Sequence, residues 1–310
     1  MKKTVFTGMA SAIVTPMKAD LTVDYEALGN FIEFQIAQGI NALVAVGTTG
    51  ESATLEPDEQ EAVIRFTVEK VAGRVPVVAG VGTNNTAHVL HNVKNACAAG
   101  ADALLVGTPY YNKATQSGLI AHFTAIADAS TVPVILYNVP SRTGCNILPA
   151  TAEKLAEHPN IVGIKEASGN MSQVVELFAR CKDKLDVYSG EDALTVAMMA
   201  MGGKGTISVL SNVAPAKSVA MTNACLRGDY PAAADLQLEL LPLINALFSQ
   251  VNPIPVKAAV AAMGFGEEHL RMPLTPMEEP HRTNLQNQMR KLGGLAGRLL
   301  SAAPTAPWVS

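Results

Sequence analysis

The sequence predicts an α/β fold, a closed (β/α)8 TIM barrel with a C-terminal helical extension, and three observations carry that expectation. The first is a recurrence: Ala37-Gln38-Gly39-Ile40-Asn41-Ala42-Leu43-Val44 resembles Ala98-Ala99-Gly100-Ala101-Asp102-Ala103-Leu104-Leu105. Each copy reads as a helix end, a glycine in the left-handed position that closes it, then an unbroken apolar run suited to a parallel strand covered on both faces. The second is that eight such runs alternate with amphipathic helix patterns, the signature of repeated strand–helix units. The third is that the alternation stops near Arg227, after which only helical patterns follow.

Taken in order, the predicted strands lie at 10–14, 42–46, 75–81, 103–107, 132–138, 161–166, 186–190 and 205–209. The first is stopped by Pro16, which has no N–H to continue a ladder. A helix over 25–38 carries Leu28, Phe31, Ile32 and Ile36 on one face, and one over 57–72 carries Ala62, Val63, Phe66 and Val71. Pro57 sits at the first helical position and Gly73 just past the end. Met201-Gly202-Gly203 before Thr206-Ile207-Ser208-Val209 repeats the glycine-then-strand pattern loosely. These units define a barrel over 1–226, although an open doubly wound sheet shares the alternation. Helices at 231–250, 256–263 and 281–300 make an extension over 227–310, and Pro304-Thr305-Ala306-Pro307-Trp308 reads as a loose tail.

Composition narrows the function classes. Hydrophobic residues form 48% of the chain and charged residues 16%, enough for a large core and too little charge for a disordered chain. Net charge is −4 with Lys and Arg scattered, which argues against nucleic acid or an anionic membrane as partner and for a small molecule. Cys97, Cys145, Cys181 and Cys225 stand far apart without a CxxC pair, so neither zinc nor a disulfide framework is expected, and a reducing cytoplasm fits. Lys2 and Lys3 before an apolar stretch imitate a signal peptide, but Thr4, Thr7, Gly8 and Ser11 interrupt it. No run approaches the ~18 apolar residues of a membrane-spanning helix.

In a barrel of this kind the site lies at the C-terminal ends of the strands. The polar residues there are Gly47-Thr48-Thr49-Gly50-Glu51, Pro109-Tyr110-Tyr111, Tyr137-Asn138-Val139-Pro140-Ser141-Arg142 and Lys165-Glu166. Lys165 is the centrepiece, since lysine is rarely placed in an apolar strand. A buried amine is disfavoured in its charged form, and the neutral form attacks carbonyls. Lys204, before the eighth strand, and Lys257, in the extension, read as structural. Tyr137 and Tyr111 are either half-buried aromatics or phenols that relay protons near the amine. Thr48 and Thr49 form either a simple turn or a backbone N–H cradle for a carboxylate, with a hydroxyl able to bridge the tyrosines. Arg142, near Gly144, suits a fork for a second carboxylate.

Other motifs fall short. Gly80-Val81-Gly82 lacks the third glycine of a dinucleotide fingerprint, and Gly202-Gly203-Lys204-Gly205-Thr206 precedes a strand instead of following it. His88 and His91 have no third ligand nearby in sequence, so no metal is expected.

Taken together, Gly47-Thr48-Thr49-Gly50-Glu51, Tyr137-Asn138-Val139-Pro140-Ser141-Arg142-Thr143-Gly144 and Gly163-Ile164-Lys165-Glu166-Ala167-Ser168 resemble the dihydrodipicolinate synthase family. The resemblance runs over 6–300 and takes in Ser189-Gly190-Glu191-Asp192 and Asn252-Pro253-Ile254-Pro255-Val256-Lys257. It implies condensation of pyruvate with L-aspartate-4-semialdehyde, toward diaminopimelate and lysine, without a cofactor. By resemblance Lys165 is the Schiff-base nucleophile, Tyr137 the proton donor and acceptor, and Thr49 the hydroxyl linking Tyr137 to Tyr111. Tyr111 would come from a neighbouring subunit of a homotetramer, a dimer of dimers. Backbone groups of Thr48 and Thr49 would hold the pyruvate carboxylate and Arg142 the semialdehyde carboxylate, with Gly190 and Ile207 lining the pocket. Related N-acetylneuraminate lyases and sugar-acid aldolases share the lysine and tyrosine but usually depart from the threonine pair and the arginine. A non-catalytic binding barrel is the alternative of another class.

The resemblance also implies weak or absent inhibition by L-lysine. Ser52, Ala53, Asn84 and Tyr110 match the pocket of lysine-inhibited members. Pro57 and Gln60 replace its two histidines, and His88 replaces its glutamate.

Overall fold

The structure, a computed structural model, describes residues 2–293. Its strands are β1 (Gly8–Ala12), β2 (Ala42–Ala45), β3 (Val77–Gly80), β4 (Ala103–Gly107), β5 (Val134–Asn138), β6 (Ile161–Glu166), β7 (Asp186–Ser189) and β8 (Gly205–Ser208). They pair in parallel in sequence order, and β8 closes on β1 with Ala10 opposite Ile207. Closure decides between the two arrangements that the alternation allows: the sheet is a barrel. The eight predicted strands are present, with one shift. β1 ends at Ala12 because Ile13 N still donates to Val44 O whereas Val14 N turns to the Asn212 side chain, so the chain leaves the ladder before Pro16.

The barrel helices are α1 (Tyr25–Ala37), α2 (Pro57–Val71), α3 (Thr86–Ala98), α4 (Gln116–Ala129), α5 (Pro140–Thr143), α6 (Pro149–Leu155), α7 (Met171–Cys181), α8 (Thr195–Ala200) and α9 (Pro215–Leu226). Asp24, Asn85, Thr115 and Asn170 each accept a backbone N–H of the helix they precede, a cap worth about 1 kcal/mol. Pro57 opens α2 as expected, but the left-handed cap falls on Ala72 as well as Gly73. The buried face of α2 is Val63, Ile64, Thr67 and Val71, with Ala62 exposed and Phe66 half-buried. In α1 Gln35 takes the buried place expected of Ile36, because its amide donates to Ser211 O and Asn212 O at 3.1 and 3.2 Å. A satisfied amide can stay in a core where an unpaired one cannot.

Side chains divide into two layers. Inside the barrel, Phe6, Ala10, Val44, Val78, Ile135, Tyr188 and Ile207 form one cluster, with Phe6 stacked on Tyr188 at 4.4 Å. Between strands and helices lies the larger core, including Met9, Leu43, Leu104, Leu136 and Ile164. Each fully buried side chain of this size contributes about 1.5–3 kcal/mol. One strand breaks its own alternation: Val134 pairs with Ile161, but Ile135 pairs with Gly163, so Val162 is bulged out of the ladder. Val162 belongs to the interior cluster and Ile164 to the outer core. The bulge therefore re-phases β6 so that Lys165 faces inward.

The extension follows as α10 (Tyr230–Leu247), α11 (Ile254–Ala262) and α12 (Glu279–Leu292), with α10 packed on α8, α9 and α12. The expected helix beyond 293 and the expected loose tail lie outside the described residues. Among the described residues no helix is long and apolar enough to cross a membrane.

Candidate active site

A cavity of about 490 Å³ opens at the C-terminal ends of the strands, within the range of small-molecule sites. Its first wall is the turn after β2. Gly50 N donates to Gly47 O, Glu51 N to Thr48 O and Ser52 N to Gly47 O, which leaves the N–H groups of Thr48 and Thr49 outside the turn's own bonds. Glycine is required beside this turn: a Cβ on Gly80 would lie 2.2 Å from Val46 O. The turn is held from the extension. Glu51 and Lys257, both fully buried, form an ion pair, and Arg271 N donates to the other Glu51 oxygen at 3.3 Å. Burial pushes the Lys257 pKa down and the Glu51 carboxylate pushes back. Arg271 also grips Glu59 on α2 with two bonds of 2.5 and 2.6 Å.

The second wall is the β5–β6 pair, in which Tyr137 stands opposite Lys165 and Asn138 opposite Glu166. Behind the sheet Asn138 Nδ2 donates to Glu166 at 2.9 Å and Ser168 N at 2.7 Å, clamping the two strands one residue past the pair. In front, Lys165 is 6% exposed, and its Nζ lies 4.3 Å from the centre of the Tyr137 ring. Among the described residues that amine donates no hydrogen bond to a protein group. The pairing that β6 refuses to Lys165 is what it gives to Glu166, one residue on.

The structure brings Thr48, Thr49, Tyr137, Arg142, Lys165 and Gly190 to this one cavity. A Cβ on Gly190 would meet Lys165 Cε at 3.0 Å, so glycine there makes room for the lysine. Arg142, on α5, stands at the mouth with Nη1 3.5 Å from Asn252 O. Two expected residues fall elsewhere. Ile207 does not line the cavity; strand alternation places it in the interior cluster with Tyr188. Tyr111 is 85% exposed with φ +71, and Tyr110 occupies its own chain's wall instead. Lys204, before β8, spends its backbone N–H on Val187 O at the opposite end of the barrel.

Sequence reasoning missed Asn252 and Glu191. Asn252 Nδ2 donates to Thr49 Oγ1 at 3.1 Å, where a bridge to Tyr137 was expected, so Asn252 joins the extension to the threonine turn. Glu191 lines the cavity, and burial, then its neighbour Asp192, hold its carboxyl above the ordinary range. Both lie in stretches carrying the resemblance, but nothing local in them reports burial beside a cavity.

A free amine held over a phenol inside a closed (β/α)8 barrel defines a lyase of the class I aldolase type. The family model of the dihydrodipicolinate synthetase family matches residues 5–292. The 4-hydroxy-tetrahydrodipicolinate synthase of Lachnoclostridium phytofermentans is 54% identical over 93% of this chain and 99% of its own. A chloride-inhibited dihydrodipicolinate synthase from Acinetobacter baumannii, solved with pyruvate, is 42% identical, with TM-score 0.91 over 95% of this chain and 99% of that one. A monomeric dihydrodipicolinate synthase variant is also 42% identical, with TM-score 0.91 over 94% and 97% of the two chains. The chain belongs to the dihydrodipicolinate synthetase family.

Proposed function

We propose that the chain is a 4-hydroxy-tetrahydrodipicolinate synthase, condensing pyruvate with L-aspartate-4-semialdehyde in diaminopimelate and lysine biosynthesis. The observation that carries the reading is the buried Lys165 amine, without a hydrogen-bond partner among the described residues, over Tyr137 in the cavity. The amine adds to the pyruvate ketone and water leaves, giving a protonated imine. Loss of a methyl proton makes the enamine, whose carbon attacks the aldehyde, and the substrate's own amine then closes the ring and releases Lys165. Tyr137 moves protons at the amine. The N–H groups of Thr48 and Thr49 hold the pyruvate carboxylate, Gly190 lines the pocket and leaves room for the Lys165 side chain, and Arg142 takes the semialdehyde carboxylate. No cofactor enters these steps.

Because Asn252 donates to Thr49 Oγ1, the Thr49 proton is left to point elsewhere, which supports its place in the relay from Tyr137. Tyr111, outward and exposed on its own chain, reaches a neighbouring subunit of a homotetramer. The barrel over 1–226 carries the chemistry and the extension over 227–310 braces it through Asn252, Lys257 and Arg271. Four free thiols, three of them buried, suit a cytoplasmic setting. Borohydride with pyruvate should add one reduced adduct per chain on Lys165, and Lys165→Ala should abolish both adduct and turnover. Labelling on Lys204 instead, or an active monomer in sedimentation, would count against the lysine assignment and the tetramer respectively.

A further inference from the structure

Four carboxylates gather at the strand ends, and three are already spent. Glu51 is paired with Lys257 and Arg271 N. Glu166 accepts from Asn138 and Ser168 on the far side of β6. Asp192, fully buried, accepts from Ser208 Oγ at 2.5 Å, Val209 N at 3.0 Å and Leu210 N at 2.9 Å, tying the end of β7 to the end of β8. Glu191 is the exception. Its backbone is fixed, since Glu191 N donates to Ser189 Oγ at 3.2 Å and Glu191 O accepts from the same hydroxyl at 2.7 Å, yet its carboxylate has no partner among the described residues. It lines the cavity one residue after Gly190, which abuts Lys165 Cε.

Arg142, in the same cavity, is the matching case of opposite sign: it forms no ion pair among the described residues, and it does not close on Glu191. Two opposite charges facing one cavity without neutralising each other fit a ligand that brings both signs. Pyruvate brings only a carboxylate. The aldehyde partner is an α-amino acid, with a carboxylate and an ammonium on one carbon.

We infer that Glu191 is the specificity-determining residue that receives the α-ammonium group of the second substrate, opposite the carboxylate held by Arg142. The inference rests on the reading given under Proposed function and assigns the remaining charge of that site. Burial and the adjacent Asp192 raise the Glu191 carboxyl, with Lys165 and Arg142 opposing and Glu166 adding to the rise, so an arriving cation relieves an unfavourable placement. An aldehyde acid lacking the amino group gains nothing from this residue.

The test compares wild type, Glu191→Gln and Glu191→Asp on three readouts: pyruvate trapping on Lys165, KM for L-aspartate-4-semialdehyde, and the inhibition constant of succinic semialdehyde, the same aldehyde acid without its amino group. Glu191→Gln should raise KM for the amino aldehyde about tenfold to a hundredfold, the worth of a charge-assisted bond, while trapping and the inhibition constant stay within about twofold. Glu191→Asp should fall between. Equal losses for both aldehydes, or an unchanged KM, overturn the inference. If the glutamine variant does not fold, as absent trapping would reveal, an aspartate variant with wild-type KM overturns it and one with selective loss supports it. A wild-type chain that traps no pyruvate overturns the underlying reading itself, a failure visible before any variant is made.

Discussion

Glu51 and Glu191 stand in the walls of the same cavity, yet they do opposite work. Glu51 is completely enclosed and its oxygens are taken by Lys257 and Arg271 N, so it fastens the threonine turn to α11. Glu191 is less enclosed and its carboxylate is left without a partner among the described residues. Residue type and nearness to Lys165 therefore do not separate structural from functional acids at a barrel mouth. The partner set does: a filled carboxylate holds the wall, and an empty one is available to ligand.

The largest effect that sharpens this contrast is on stability. Lys257→Met strands the Glu51 charge and should cost about 3–5 kcal/mol by urea unfolding, whereas Glu191→Gln should cost none. The sign follows from the raised Glu191 carboxyl: its neutral form is the one folding favours, a contribution present at low pH and lost as pH rises through the raised value. A neutral glutamine is thus at least as stable near pH 7. Lys257→Met that unfolds like wild type would break the comparison.

Activity responds in the other direction. As pH falls through the raised Glu191 value, the carboxylate is lost before an ordinary glutamate's would be. KM for the semialdehyde should then climb by up to about tenfold per pH unit, a limb that disappears in Glu191→Gln. The same limb in both proteins would assign the titration elsewhere.

Smaller again is Asn252→Ala. Loss of the bond to Thr49 should cost about 1 kcal/mol and lower kcat more than it raises KM, because the hydroxyl loses its fixed orientation. A change confined to KM would show that Asn252 serves the substrate directly. The smallest expected response is to L-lysine: initial rates should stay near their uninhibited value at sub-millimolar lysine. Gln60 spends its amide on Ser52 O and Leu55 O, at 2.9 and 3.1 Å, and His88 offers no carboxylate. Half-inhibition in that range would show that other residues rebuild the pocket, and His88→Glu should increase sensitivity.

The barrel was legible in the sequence because each unit carries its own punctuation. Gly39 and Gly100 both adopt positive φ at the predicted stops, and the apolar runs after them are strands. Lys165 was legible for a similar reason: a lysine inside an apolar run contradicts its surroundings. The helix faces were less so, since Gln35 is buried through bonds to carbonyls some 176 residues away that only the folded chain supplies, and Thr67 hides its hydroxyl on Val63 O one turn back in its own helix. The brace from the extension was not legible at all. Asn252, Lys257 and Arg271 meet the threonine turn across some two hundred residues of chain, and no local pattern encodes such a meeting.

The bulge at Val162 makes the chemistry a matter of parity. A strand presents every second residue to the same side, so one surplus residue exchanges odd for even from that point on. Were Val162 taken into the ladder opposite Ile135 instead of being bulged out, the sequence Gly163-Ile164-Lys165 would survive intact, but Ile164 would inherit the inward place and the amine would be delivered to the helices. A chain could thus keep every residue by which it is recognised and still lose its inward amine to an error in counting.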